Sequence, residues 1–224
     1  MVAVGAGRRE VRTDDITRAV EAARAVSIPS DREILHVLPR QFTVDGQEGV
    51  REAIGMAGTR LEVETHVVTG ASTFIENVGK CVRRAHLTVE DIVLEPLAAG
   101  LSVLSAAERA LGVALVDIGG GTTDVALFAD GSLYHSAVIP VGGNHVSYDL
   151  SVGLRLGRAE AEDLKIRHGC ALIDQVGEDE YIDVRRLEEE ESRELPRRVV
   201  AEIIEPRMRE VFELVAREHE RALP

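Results

Sequence analysis

Apolar residues recur at helical spacing in some stretches of the chain and at strand spacing in others. Val2-Ala3-Val4 is a short apolar start. Ile16, Ala19, Val20, Ala23 and Val26 fall on one face of a helix over about 16–26, with Thr13-Asp14-Asp15 as its N-cap region and Pro29 as its stop. Ile34 to Leu38 predicts a buried strand closed by Pro39. Phe42-Thr43-Val44 continues extended, and Asp45-Gly46 turns the chain. Gly55 and Gly58 mark a loop. Leu61 to Val68 alternates apolar and polar, as a half-exposed strand does.

From Gly70 the pattern changes to helices. Ser72-Thr73 is placed to cap a helix to about Arg84 with Phe74, Ile75, Val78 and Val82 on one side. Thr88 to Leu94 predicts a strand, and Leu97 to Leu111 a helix with Leu101, Leu104 and Ala107 buried and Gly112 ending it. Three short strands follow: Val113 to Val116, Val125 to Phe128 and Leu133 to Val141. Their connectors, Gly119-Gly120-Gly121 and Asp130-Gly131-Ser132, are hairpin turns, so these strands form an antiparallel meander. After Gly142-Gly143, helices are expected over Val146 to Leu154 and Ala159 to Arg167. An acidic extended stretch, Val176 to Val184, leads to the run Glu188 to Glu191, read as a solvated segment. The last segment is a long amphipathic helix opened by Pro196, with Val199, Ile203, Val211, Leu214 and Val215 as its stripe and Pro206 as a kink.

Composition narrows the function. The 224 residues suffice for one large domain or two modest ones. A formal net charge of −13 argues against a nucleic-acid partner, which would want a basic face. No apolar run reaches the ~18 residues of a membrane span and no signal peptide opens the chain, so a soluble, cytoplasmic protein is expected. Only two of the bases are lysine, Lys80 and Lys165. Cys81 and Cys170 lack metal-site spacing and read as reduced, buried thiols. His36, His66 and His168 fit no metal-ligand spacing either.

The candidate chemistry lies in Val116-Asp117-Ile118-Gly119-Gly120-Gly121-Thr122-Thr123-Asp124-Val125. Glycines let backbone N–H groups crowd an anion with no Cβ in the way. Thr122 and Thr123 can add hydroxyl hydrogen bonds. Asp117 would stand across bound phosphates, holding Mg2+ through water or orienting an attacking water. There is no Gly-Lys-Ser/Thr of a P-loop, and a strand rather than a helix follows the glycines, so the dinucleotide fingerprint is excluded too.

This motif resembles the second phosphate motif of the actin-like ATPase superfamily, and within it the chain resembles the FtsA family of bacterial cell-division proteins. The likeness continues in His36-Val37-Leu38-Pro39, Gly55-Met56-Ala57-Gly58, Asn77-Val78-Gly79-Lys80-Cys81-Val82, Lys165-Ile166-Arg167-His168-Gly169-Cys170-Ala171 and Glu202-Ile203-Ile204-Glu205-Pro206-Arg207, in the family's order. It implies an α/β fold of actin-like (ribonuclease H-like) nucleotide-binding lobes with a small inserted α/β subdomain. Residues 1–69 would be that subdomain, 70–139 the nucleotide-core half of the first lobe, and 140–224 a second-lobe segment.

The resemblance further implies that Gly142, Gly143 and Asn144 line the cleft and that Glu162 and Lys165, at i and i+3 on one helix face, reach the ribose and adenine of ATP. From spacing alone that pair could equally be a surface ion pair. Members of the family bind ATP, polymerise and link the tubulin-like FtsZ ring to the inner membrane. The FtsZ tail contact would fall in the second lobe, and self-association and contacts with other division proteins on residues 1–69. The family's other phosphate turn and its late glycine pair have no counterpart here, so the chain reads as an internal fragment with weak ATP binding and at most weak hydrolysis. The helix from Pro196 resembles the family's interior and not its membrane-binding terminal helix, so no direct membrane insertion is expected. Two rival readings share the motif: a sugar-kinase-type phosphotransferase, for which no sugar pocket is visible, and a PilM-like pilus-assembly protein.

Overall fold

The computed structural model describes residues 1–4, 7–184 and 193–222. The run Glu188 to Glu191 lies outside them. The chain divides into two compact units, residues 1–113 with 126–135 and residues 114–125 with 136–224.

The first unit begins with β1 (Val2–Ala3), β2 (Arg9–Glu10), α1 (Thr13–Arg24), β3 (Arg32–Val44), β4 (Gln47–Val50), β5 (Ala57–Gly58) and β6 (Arg60–Ala71). β1, β6, β3 and β4 pair antiparallel in that spatial order, and β2 pairs with β5. Asp45 and Gly46 both take positive φ in the two-residue β3–β4 turn, the conformation that matches strand twist and favours Asp-Gly. α1 lies against β6 and β3 over Val4, Val11, Ala19, Phe42, Val44, Val50, Ala53 and Leu61. It starts three residues before Ile16. The buried Asp15 accepts a hydrogen bond from the Arg12 amide at 2.9 Å, which fixes the first turn. The same carboxylate accepts from Arg9 at 2.7 and 2.8 Å and from Arg18.

β3 does not end at Pro39. Pro39 sits where β3 is paired only with β6, next to a register shift at Pro39/Gln41, so its missing N–H breaks no ladder on the free side. α2 (Ser72–Arg84) matches the expected span, although half of its expected apolar face is open: Ile75 and Val82 are half-buried, whereas Phe74 is 73% and Val78 64% exposed. Cys81, read as buried, is exposed on the same helix. Residues 88–94 form no strand among the described residues; the Leu94 amide donates instead to His36 Nε2 at 2.9 Å. The expected helix over 97–111 is two helices, α3 (Glu95–Val103) and α4 (Ala106–Leu111). Leu104 and Ser105 are extended, and Ser105 with Glu108 forms a capping box that starts α4. Leu101 is 65% exposed rather than buried. Gly112 ends α4 at φ 106, as expected.

β7 (Val113–Ile118), β8 (Thr123–Ala129) and β9 (Ser132–Ile139) are neighbours in one sheet in that order. Connections of two to four residues permit only antiparallel pairing, so the meander is present.

The second unit continues with α5 (Gly143–Leu154), α6 (Arg158–His168), a 3-10 turn at Ile173–Gln175, β10 (Tyr181–Val184), β11 (Arg193–Pro196) and α7 (Arg197–Ala222). β10 and β11 pair antiparallel, and Pro196 closes β11 instead of opening the helix. Val146, Leu150, Leu154, Leu156, Ala161, Leu164, Ile182, Val184, Val200 and Ile204 form its core. α7 buries Val200, Ala201, Ile204 and Val211, so its inward face is turned about one residue from the expected stripe. It runs through Pro206 unbroken. Arg207 ties it to α5 through Asp149 at 2.7 and 3.0 Å.

Candidate phosphate-binding hairpin

All the candidate residues lie in the second unit. The β7–β8 loop is closed by the Gly119 amide donating to the Thr122 carbonyl at 2.9 Å. Two further bonds fasten it to the start of α5: the Gly143 amide donates to the Gly119 carbonyl at 2.9 Å, and the Asn144 amide to the Gly120 carbonyl at 2.8 Å. These amides belong to the first turn of α5, whose N–H groups have no partners within the helix. The consequence for the loop is directional. In a planar trans peptide the N–H points opposite to the C=O. With the Gly119 and Gly120 carbonyls held toward α5, the Gly120 and Gly121 amides point away from it. Neither makes a hydrogen bond among the described residues.

Gly142 is required for this approach. Its backbone is extended, open to any residue, but a Cβ there would lie 2.5 Å from the Gly119 oxygen and 2.7 Å from the Gly120 oxygen. A Cβ on Gly121 would meet nothing within 4 Å. Gly142, Gly143 and Asn144, expected to line a cleft, therefore act first as the clamp on the loop.

Thr122 is exposed, with its hydroxyl 3.4 Å from Asp124. Thr123, expected beside it as a second ligand hydroxyl, is fully buried and donates to the Val141 carbonyl at 2.8 Å. In a strand consecutive side chains point to opposite faces, so only one of the two threonines can face outward. Asp117, two residues before the loop, is half-buried, and its side chain makes no hydrogen bond or ion pair among the described residues.

Glu162 and Lys165 do face one way and pair at 2.8 Å. Ser147 of α5 also donates to the same Glu162 oxygen, and Lys165 donates to the Gly143 carbonyl at 3.2 Å. The Lys165 ammonium, then the Ser147 hydroxyl, hold the Glu162 carboxyl below its ordinary range. Glu162 borders a cavity of about 550 Å³ with Asn144, His145, Ser147, Tyr148, Arg158 and Ala159. Ser147, Tyr148 and Arg158 were not expected. The first two stand one turn beyond Gly143 and Asn144 on α5, a spacing that signals them once the helix start is placed. Nothing in the letters marks Arg158, which enters because α6 follows α5 after three residues.

Open amides, an unpartnered carboxylate and an adjoining cavity fit a phosphorylated ligand with an organic end. No group of three or more His, Cys, Asp or Glu that could hold a metal occurs among the described residues. Asp117 alone fits an Mg2+ ion carried on phosphates and water.

Among solved structures the chain is similar to MreB5 of Spiroplasma citri bound to ADP, at a TM-score of 0.56 and 23% identity, covering 69% of this chain and 50% of that one. It is also similar to the PilM-PilN type IV pilus biogenesis complex, at a TM-score of 0.59 and 16% identity, covering 94% of this chain and 52% of that one. With the α/β elements above, these likenesses define the class: an actin-like fold.

The model described as "SHS2 domain inserted in FTSA" matches residues 1–69, and that described as "Cell division protein FtsA" matches residues 114–222. Curated cell division proteins FtsA are 49% identical over 214 residues in Pseudomonas aeruginosa, 42% over 218 in Bacillus subtilis and 39% over 209 in Escherichia coli K12. These alignments cover 96%, 97% and 93% of this chain and 51%, 50% and 50% of the respective relatives. The chain belongs to the FtsA family of cell-division proteins. It spans about half the length of the curated relatives it matches.

Proposed function

We propose that this chain is part of an ATP-binding, actin-like scaffold of the bacterial division septum. The observation that carries the reading is the pair of outward amides at Gly120 and Gly121, held open beside the unpartnered Asp117 carboxylate. Gly119 to Gly121 and Thr122 take the phosphates. Asp117 holds water or an Mg2+ ion against them. Glu162 receives the ribose, and the cavity beside Tyr148 and Arg158 receives the adenine end. Bound Mg2+ supplies charge neutralisation on the phosphates; the chain supplies orientation. The Thr123 hydroxyl, tied to Val141, is not part of this seat.

The family relationship supports the rest. Residues 1–69 serve as the inserted subdomain, with self-association and contacts with other division proteins. Residues 70–139 form the nucleotide-core half of the first lobe. Residues 140–224 carry the FtsZ-tail contact, linking the FtsZ ring to the cytoplasmic face of the inner membrane. Among the described residues no helix is long and apolar enough to cross a membrane. The pilus complex shares the fold at 16% identity, whereas FtsA proteins stand at 39–49%, which favours the division reading.

Calorimetry with Mg2+–ATP on this chain, and on a chain extended at both ends, tests the nucleotide claim. Binding is expected to be weak here and at least tenfold (~1.4 kcal/mol) tighter in the longer chain. No binding by either overturns it. Retention of an FtsZ C-terminal peptide tests the partner claim separately, and its loss from the longer chain removes that claim alone.

A further inference from the structure

Lys165 and the Gly121 amide stand at the two ends of an unbroken series of peptide groups. The Lys165 ammonium donates to the Gly143 carbonyl at 3.2 Å. That carbonyl shares a peptide unit with the Asn144 amide, which donates to the Gly120 carbonyl at 2.8 Å. The Gly120 carbonyl shares its unit with the Gly121 amide, which points outward. A second series runs beside it. The His145 amide donates to the Gly142 carbonyl at 3.0 Å, the Gly143 amide to the Gly119 carbonyl at 2.9 Å, and the Gly120 amide is the open end.

The two series differ at their source. One begins at a neutral amide and the other at a cation. Hydrogen bonds in series polarise one another, and those from an ionised donor are the stronger. Ser147 Oγ also lies 3.2 Å from the Gly143 oxygen. A hydroxyl has one proton, however, and that of Ser147 is directed to the Glu162 carboxylate. Lys165 is therefore the charged donor to Gly143, from a side chain only 22% exposed.

We propose that Lys165 is a positioning residue for the hairpin: through the Gly143–Asn144 peptide its charge orients and polarises the Gly121 amide for an anionic ligand. The proposal rests on the reading of the hairpin as a phosphate seat. It gives Lys165 a task at the phosphate end of the site, in addition to the ribose and adenine contact implied by resemblance.

The test uses backbone amide resonances and hydrogen exchange of the chain free of ligand. In Lys165→Met, Asn144 is expected to exchange about tenfold faster, the loss of one charge-assisted bond. The Asn144 and Gly121 resonances move, while Gly143 and Gly120 hold still. Lys165→Arg restores Asn144 and Gly121. The core amides of Leu150 and Leu154 report the global fold. Should the Met variant unfold, Lys165→Gln, which keeps an uncharged donor, is read in the same way. Unchanged Asn144 and Gly121, or equal changes in Gly143 and Gly120, overturn the proposal. A second arm titrates inorganic triphosphate. In the wild type both Gly120 and Gly121 respond, and in Lys165→Met the Gly121 response weakens more. Equal weakening of both overturns the proposal. A wild type blind to triphosphate overturns the phosphate reading, while the exchange arm still decides the orienting role of Lys165.

Discussion

Single atoms set the hairpin's geometry. A methyl group on Gly142 has nowhere to go, because the loop carbonyls that crowd it are the same ones that aim the amides outward. Gly142→Ala is expected to cost about 1–3 kcal/mol in urea unfolding, the range for overpacking against backbone. Gly121→Ala meets open space and should change stability by less than about 0.5 kcal/mol, yet place a methyl group where phosphate approaches. The pair separates folding from binding: a Gly121→Ala chain that folds and binds Mg2+–ATP like the wild type would contradict the assigned seat. Asp15 gives a prediction in pH. The Arg9 guanidinium first, then the Arg12 amide, hold its carboxyl well below the ordinary range despite burial. A depressed folded value means that the ionised form stabilises fully above about pH 5, well clear of the unfolded value of about 3.9, and that this contribution fades as pH falls toward the folded value. Asp15→Asn should cost about 2 kcal/mol at neutral pH and flatten the loss of stability between roughly pH 5 and 2. An unchanged acid profile would remove Asp15 from that role.

Elements were legible where a local signal decided them. Gly112 stops α4, the Asp-Gly pairs turn two hairpins, and α2 covers its expected span, although Ser72 and Thr73 lie inside it and the N-cap is Ala71 with no side-chain cap. The misreadings fall where the partner decides. Pro39 looks like a strand end until the pairing shows that β4 joins β3 only from Phe42. Residues 88–94 have strand character and no strand beside them among the described residues. Ser105 and Glu108, whose capping box starts α4, lie inside the apolar run 97–111 that periodicity reads as a single helix. In the site, the glycines and Glu162–Lys165 were visible as letters. The inward turn of Thr123, and the clamp that makes Gly142 necessary, depend on contacts 18 to 24 residues away in sequence, which no local pattern encodes. The same distinction predicts how α2 responds to mutation. Phe74→Ser should stay within about 0.5 kcal/mol of the wild type, because the ring is 73% exposed, whereas Leu150→Ala should cost about 3 kcal/mol. Thermal unfolding of the two variants checks the contrast.

Over the whole molecule, two cores share no residue: one is built on Leu61 and its sheet, the other on Leu150 and three helices. Regions with separate cores open with separate free energies. Leu61→Ala should accelerate amide exchange in β3 and β6 while leaving the amides of Leu150 and Leu154 within about twofold, as sites with no shared partners behave additively. Comparable acceleration in both would show one cooperative body. The acidity of the chain acts at this scale too, since a net charge of −13 disfavours close approach to other polyanions.

The scarcity of lysine has a practical side. Besides the α-amino group, the chain offers an acylating reagent two primary amines: Lys80, 53% exposed on α2, and Lys165, tucked against Glu162 and the Gly143 carbonyl. A dye ester should label the first quickly and the second slowly. The slow rate then becomes a clock for how often the strut beneath the glycine loop lets go.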